Sequence, residues 1–310
     1  MKLVNPKFEI LEQESGIDGI YKAIERAGRT CYKSDDKITE DSAKKFVEMI
    51  INRGHTSVLE HGTVYLKAKV LCYLDVNGDE VKEGRLLKYL TNPYSRIILD
   101  NGIAYITTNY RVLYENNWLD DLEYLCEPTK HHIKRVCVKF TTDIGVTREA
   151  NRHRVNSPSE QSTRYCNYSK DKFGNEITVC TNVDISKDDV LNAYGKWAYP
   201  EEQGTVDHSA FVCMCNTIGH CKYDQFGIVD TWIFANLAAE WSYMRLIKLG
   251  WIPQQARRVL PLDLSSELVH TAFVDSWEHF FELRCANDAH PDMKALAIPL
   301  KEEFINRNYI

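Results

Sequence analysis

Residues 152–165, RHRVNSPSEQSTRY, are the stretch on which the fold and the chemistry of this chain turn. Counted with Arg148 and Glu149 just ahead, the cluster holds four arginines, one histidine, two carboxylates and three serines within 17 residues, 148 to 164. Arginines one or two positions apart on a helix point in different directions and must reach different partners. Pro158, with hydroxyls around it, reads as the first turn of a helix over 157–162, and such a start offers free backbone N–H groups to a phosphate. Together these describe an anion site. A charged helix surface with a Ser-Pro cap fits the same spacing equally well.

Outward from this stretch, the chain alternates helical and strand-like periods without a regular βαβ repeat. Apolar residues at helical spacing predict helices over 17–32 and 41–53, the second with Ala43, Phe46, Val47 and Ile50 on one face and Gly54 as its stop. Alternation with period two predicts strands over 64–70, 103–113 and 133–140. From Asp143 a helix is expected to lead into Arg152-His153-Arg154. A long apolar helix over 229–249 closes at Gly250, and a strand over 265–274 precedes helices over 276–284 and from Pro291, the last interrupted at Pro299. Helices and antiparallel-looking strands in irregular order point to an α+β fold, with mixed helices and an antiparallel-rich sheet. The 310 residues read as a single domain with an insertion around 170–225.

Composition narrows the function. At 44% hydrophobic and 26% charged, with 15 Gly and 9 Pro, the chain is an ordinary globular protein. A net charge of −6 argues against a general nucleic-acid or anionic-membrane binder but leaves room for a local basic pocket. No apolar run is long enough to span a membrane, and the charged N-terminus is unlike a secretory signal. The expected location is the cytoplasm, or a host's cytoplasm were the source a phage or virus. Ten scattered cysteines are expected to be mostly buried thiols.

Three weaker clusters stand elsewhere. GHTSVLEH at 54–61 sets His55, Ser57, Glu60 and His61 after a helix, but the histidines are six apart rather than one helical turn, which disfavours zinc; a capped helix start is the plainer reading. QQARRVLP at 254–261 precedes WEHFFELR at 277–284, an aromatic stripe read as core that ends in Arg284. CMCNTIGHC at 213–221, with His208 nearby, lacks the paired C-x-x-C of a structural zinc site. Dinucleotide, P-loop and nucleophile-elbow fingerprints are absent from the sequence.

Arg152-His153-Arg154, then seven residues, then Ser162 with Arg164-Tyr165, resembles the signature of the flavin-dependent thymidylate synthases. The resemblance continues in order through AGRTCYKS at 27–34, GHTSVLEH, ARRVLP at 256–261 and HFFELR at 279–284; it is weaker at 70–130 and 170–225. It implies an α+β homotetramer with active sites between subunits, methylating dUMP to dTMP in nucleotide biosynthesis. Methylenetetrahydrofolate would donate the carbon, and FADH2, regenerated by NADPH, would be the hydride source. The implied partners are small molecules, with no nucleic acid, membrane or metal.

By position, the resemblance assigns His55, Ser57, Glu60, Arg152, His153, Arg154, Glu160 and His279 to FAD. It assigns Glu149, Arg152, Glu160, Gln161, Ser162, Thr163, Arg164, Arg257 and Arg284 to dUMP. Arg284 would contact the uracil as the catalytic residue, a fixed positive charge where negative charge develops. Ser162 would bind substrate rather than attack it, because no adjacent base activates it. The chain departs from its relatives at Glu149, where many have glutamine, at Ser159 and Phe273, where asparagine is common, and at His279. Two alternatives compete: a nucleotide- and flavin-binding regulator that keeps this pocket without turnover, and, given ten cysteines, a thymidylate synthase working through a cysteine nucleophile.

Overall fold

The computed structural model describes residues 1–74, 80–197, 208–220 and 223–310. In chain order the strands are β1 Lys2–Val4, β2 Lys7–Leu11, β3 Thr63–Lys69, β4 Leu71–Leu74, β5 Glu80–Glu83, β6 Arg96–Asp100, β7 Ile103–Asn109, β8 Arg135–Asp143, β9 Ser157–Glu160, β10 Thr178–Cys180 and β11 Ser265–Phe273. The helices are α1 Gly16–Tyr32, α2 Ser42–Asn52, α3 Tyr110–Glu115, α4 Ile144–Ala150, α5 Lys187–Tyr194, α6 His208–Gly219, α7 Ile228–Lys248, α8 Pro253–Ala256, α9 Val274–Arg284 and α10 Pro291–Asn306.

Strand β11 runs through the middle of the molecule because its residues from Leu268 to Phe273 are all buried, which suits a strand covered on both faces. It anchors an antiparallel sheet in the order β2-β8-β11-β9. Trp277, Phe280 and Phe281 of α9 and Leu296 and Phe304 of α10 share a buried cluster with its Leu268 and Ala272. Truncating one of those aromatics to alanine costs about 3–5 kcal/mol. A second antiparallel sheet, β3-β7-β6, buries Val64, Leu66 and Ile106 with Ile20 and Ile24 of α1 and Phe46 and Ile50 of α2. Gly28 permits the approach of α1 to α2, since a Cβ there would lie 2.6 Å from the Phe46 ring. The α+β class expected from the sequence is the class observed.

Local chemistry explains where the elements differ from expectation. The strand expected over 103–113 stops at Asn109, whose side chain accepts from the Val112 N–H at 3.2 Å and starts α3. The strand expected over 133–140 extends to Asp143, which caps α4 by accepting from the Val146 N–H at 2.8 Å. That helix ends at Ala150, so Arg152-His153-Arg154 form a turn rather than a helix face. Residues 157–162 do not start a helix: Ser157–Glu160 is the edge strand β9, with Pro158 opposite His270, and an edge tolerates a residue without an N–H. GHTSVLEH holds a 3₁₀ segment, Thr56–His61. Pro299 sits inside α10, which continues to Asn306.

The segment 170–225 supplies β10, which pairs in parallel with β1, and α5, which contacts α7. Of its metal-ligand candidates, Cys213 is half-buried and Cys215 exposed, while Cys221 and the His208 side chain lie outside the described residues. Among the described residues no group of His, Cys, Asp or Glu is placed to hold a metal ion, and no helix is long and apolar enough to cross a membrane. Of the cysteines expected to be mostly buried, only Cys166 and Cys180 are fully so among those described, because most of the others sit at element ends or on partly covered faces.

Candidate active site

Three neighbourhoods gather the residues singled out by the motif. The first joins the end of α4, the turn after it and the last turn of α9. Arg284 donates from Nη1 to Glu149 Oε2 at 2.8 Å, from Nη2 to the Glu149 carbonyl at 2.7 Å and from Nε to His153 Nε2 at 3.0 Å. Its side chain is 12% exposed. Because a guanidinium only donates, His153 must accept at Nε2 and carry its proton on Nδ1. Burial, then the Arg284 charge, lowers the His153 pKa to about 4, so the ring is neutral at physiological pH. Its ring centre lies 4.9 Å from that of Phe280, the two rings tilted by 50°. Arg152 is exposed, with its Nη2 3.6 Å from Glu149. Glu160, at the end of β9, turns back to α4, accepting from Thr147 Oγ1 at 2.7 Å, Ser266 Oγ at 3.0 Å and Asn151 Nδ2 at 3.0 Å.

The second neighbourhood is the loop after β9, facing α8. Ser162 donates its backbone N–H to the Cys31 carbonyl at 2.9 Å and accepts from the Arg164 N–H at 3.2 Å through Oγ. Arg164 donates to Gln254 Oε1 from Nε at 3.3 Å and Nη2 at 3.2 Å, and Arg257 donates to Thr163 Oγ1 at 3.2 Å. Gln161 is buried beneath them. Both arginines are exposed and, among the described residues, hold only neutral partners, so each guanidinium can take an anion without breaking an ion pair.

The third is a cleft of about 720 Å³ walled by Ser57, Glu60, Arg111, Arg154 and Phe273. Four guanidiniums line it (Arg96, Arg111, Arg135, Arg154) against two carboxylates, Glu60 and Glu115. Arg111 Nη1 donates to Glu60 at 2.5 Å. Arg135 donates to the Glu60 carbonyl at 2.9 Å, and burial lowers its pKa to about 10, which leaves it charged. His61, outside the cleft lining, bridges Thr271 Oγ1 and Ser159 Oγ, each at 2.8 Å, and burial holds it neutral with a pKa of about 3.

Two residues assigned by resemblance stand apart from these groups. His55 is exposed, 3.4 Å from the Tyr32 hydroxyl, beside the cleft rather than in it. His279 is exposed, 3.3 Å from Glu282 and 6.1 Å between ring centres from His153. Sequence reasoning missed Arg96, Arg111, Arg135 and Asn156. Only Asn156 lay within the motif, and Arg135 gave a faint sign as a charge opening an apolar strand.

The model of the thymidylate synthase complementing protein family, Thy1, matches residues 15–72 and 129–307, more than half of the chain. The chain belongs to that family. In this Thy1 protein the unmatched stretch 73–128 carries β6 and α3, and so brings Arg96 and Arg111 to the cleft. No curated protein matches the chain. Among solved structures, a UMP/dUMP methylase PolB from Streptomyces cacaoi bound with 5-Br dUMP is similar at 16% identity and a TM-score of 0.41, over 99% of this chain and 93% of that one.

Proposed function

We propose that this Thy1 protein is a flavin-dependent thymidylate synthase, a methyltransferase that converts dUMP to dTMP. Methylenetetrahydrofolate is the carbon donor, FADH2 the hydride source and NADPH the reductant. The observation that carries the reading is the family match over both halves of the motif set, with Arg284 and the R-H-R turn, 131 residues apart at His153, meeting in one hydrogen-bonded group. The donor chemistry fits the two anions: arginines outnumber carboxylates in the cleft, and Arg164 and Arg257 stand ready for a phosphate.

When bound, the reduced flavin supplies the hydride chemistry. The chain's own residues bind and orient. Arg164, Arg257, Ser162 and Thr163 hold the dUMP phosphate, with Gln161 and Glu160 fixing the loop beneath them. Arg284 reaches the uracil when Glu149 yields it, and presents fixed positive charge to the ring as negative charge develops. Arg152, His153 and Arg154 hold the flavin nucleotide together with Ser57 and Glu60 of the cleft, and with His55 and His279 at its margins. Neutral His153 offers its Nδ1–H as a donor.

Other chemistries are less well supplied. Ser162 Oγ meets a backbone N–H, which is no base for a nucleophile. Cys31 and Cys166 beside the loop are held protonated, since burial raises the first above its ordinary value and the second to about 11. One specific observation favours the second reading, a nucleotide-binding regulator without turnover: Glu149 already occupies Arg284. Incubation with dUMP, methylenetetrahydrofolate, FAD and NADPH, with dTMP read by chromatography, decides between them. Formation of dTMP coupled to NADPH consumption supports the enzyme; binding of dUMP and FAD without dTMP supports the regulator. A single domain with an insertion at 170–225, a homotetramer with shared active sites and a cytoplasmic location complete the proposal, and light scattering at several concentrations tests the tetramer.

A further inference from the structure

Asn156 is 5% exposed, lines the cleft, and among the described residues has no hydrogen-bond partner at either Oδ1 or Nδ2. A buried carboxamide left unmade at both ends is costly and calls for an explanation. Its backbone N–H donates to the His153 carbonyl at 3.2 Å, so the residue is held in the turn while its side chain stays unsatisfied. The buried Asn109 on the same cleft differs, because its amide oxygen caps α3.

The surroundings define what would satisfy Asn156. Phe273 closes the same cleft with an aromatic ring, and the Arg96 and Arg135 guanidinium carbons lie 4.6 and 5.4 Å from its centre. Arg135 leaves its buried Nε unpartnered as well. A carboxamide presents a donor and an acceptor side by side, which matches the paired acceptor and donor on the edge of adenine. Arg96 is paired with Asp275 at 3.2 Å and Arg111 with Glu60, so Arg135 and Arg154 are the cations this cleft offers the phosphates of an adenine nucleotide. None of the residues assigned here to dUMP, among them Ser162, Arg164, Arg257 and Arg284, lines this cleft. The cleft is thus separate from the groups that would hold dUMP.

We propose that Asn156, held in the R-H-R turn, reads the adenine edge of the flavin dinucleotide. The inference rests on the proposed flavin dependence. Titrating the purified full-length protein with FAD and with FMN, followed by quenching of flavin fluorescence, tests it without any turnover. The wild type binds FAD more tightly than FMN. Asn156→Ala weakens FAD by roughly 5- to 150-fold, the discrimination of one bidentate amide–base pair, and leaves FMN unchanged. Its melting temperature stays at or above that of the wild type, since the amide has no protein partner to lose; were the alanine variant to melt early, Asn156→Leu, closer in volume, carries the same comparison.

Equal weakening of FAD and FMN, or unchanged FAD binding, overturns the inference. Wild-type protein that binds FAD and FMN equally well overturns it alone, whereas wild-type protein that binds neither flavin overturns the proposed flavin dependence along with it.

Discussion

The Arg284 group and the loop 161–165 both turn on arginine and solve opposite problems. Arg284 is nearly enclosed and has each of its three side-chain nitrogens engaged, by Glu149 and by neutral His153. Arg164 and Arg257 are exposed and hold only Gln254 and Thr163. Desolvating a guanidinium demands a countercharge, so an enclosed arginine without its ligand must recruit one from the protein. An exposed arginine keeps its water and waits. The difference teaches that the enclosed group holds a geometry and the loop offers affinity.

The largest effect that would sharpen this contrast comes from Arg284→Ala. Turnover should fall by about 10²- to 10³-fold or more, with the FAD dissociation constant nearly unchanged. Wild-type turnover in that variant would remove Arg284 from the chemistry. Next comes the pH response of the buried side. His61 and His270, lowered to about 3, and His153, lowered to about 4, all by burial, bind fewer protons folded than unfolded, where the ordinary value is 6.5. Stability is therefore full above about pH 6.5 and is lost as pH falls through the range toward 4, by up to ~1.4 kcal/mol per pH unit for each ring. Melting curves from pH 7.5 to 5 should show the decline, and His270→Phe should flatten it; a level profile would break the picture of three neutral buried imidazoles.

Arg164→Ala should raise the dUMP dissociation constant by about tenfold, the worth of one charge-assisted hydrogen bond, without moving the melting temperature. Calorimetry showing unchanged affinity would refute the phosphate role of the loop. The smallest effect belongs to Glu149→Gln. It removes the countercharge but keeps an acceptor, so Arg284 is released more readily and dUMP binds more tightly, within about tenfold. Unchanged dUMP affinity in calorimetry would make the Glu149–Arg284 pair purely structural.

Much of this was legible in the sequence. The apolar periods of α1, α2, α7 and β11 announce their elements within a residue or two, because each covers enough turns or alternations for periodicity to dominate. The motif residues and their spacing read equally as an anion site and as a charged surface, a choice that spacing alone does not make. Local signals that compete at short range were misread. Pro158 reads as a helix start from its neighbours, yet the ladder with β11 decides for an edge strand. Asn109 ends a strand that its apolar run alone would continue. The cleft was hidden for a different reason: Arg96 and Arg111 come from a stretch outside the family match, and nothing near them in sequence marks their convergence with Arg154.

The sequence by itself determined which chemical groups this protein possesses, the caps and aromatic stripes that start and bury its helices, and the family to which its motif points. Only the tertiary structure decided which groups meet. Glu149 and Arg284 lie 135 residues apart, Glu60 and Arg111 51 apart, and the Asn156 amide is left unpaired among the described residues. Propensity and capping act over a few residues, whereas the worth of an ion pair or an unmet amide is set by burial, and burial exists only once distant segments have packed.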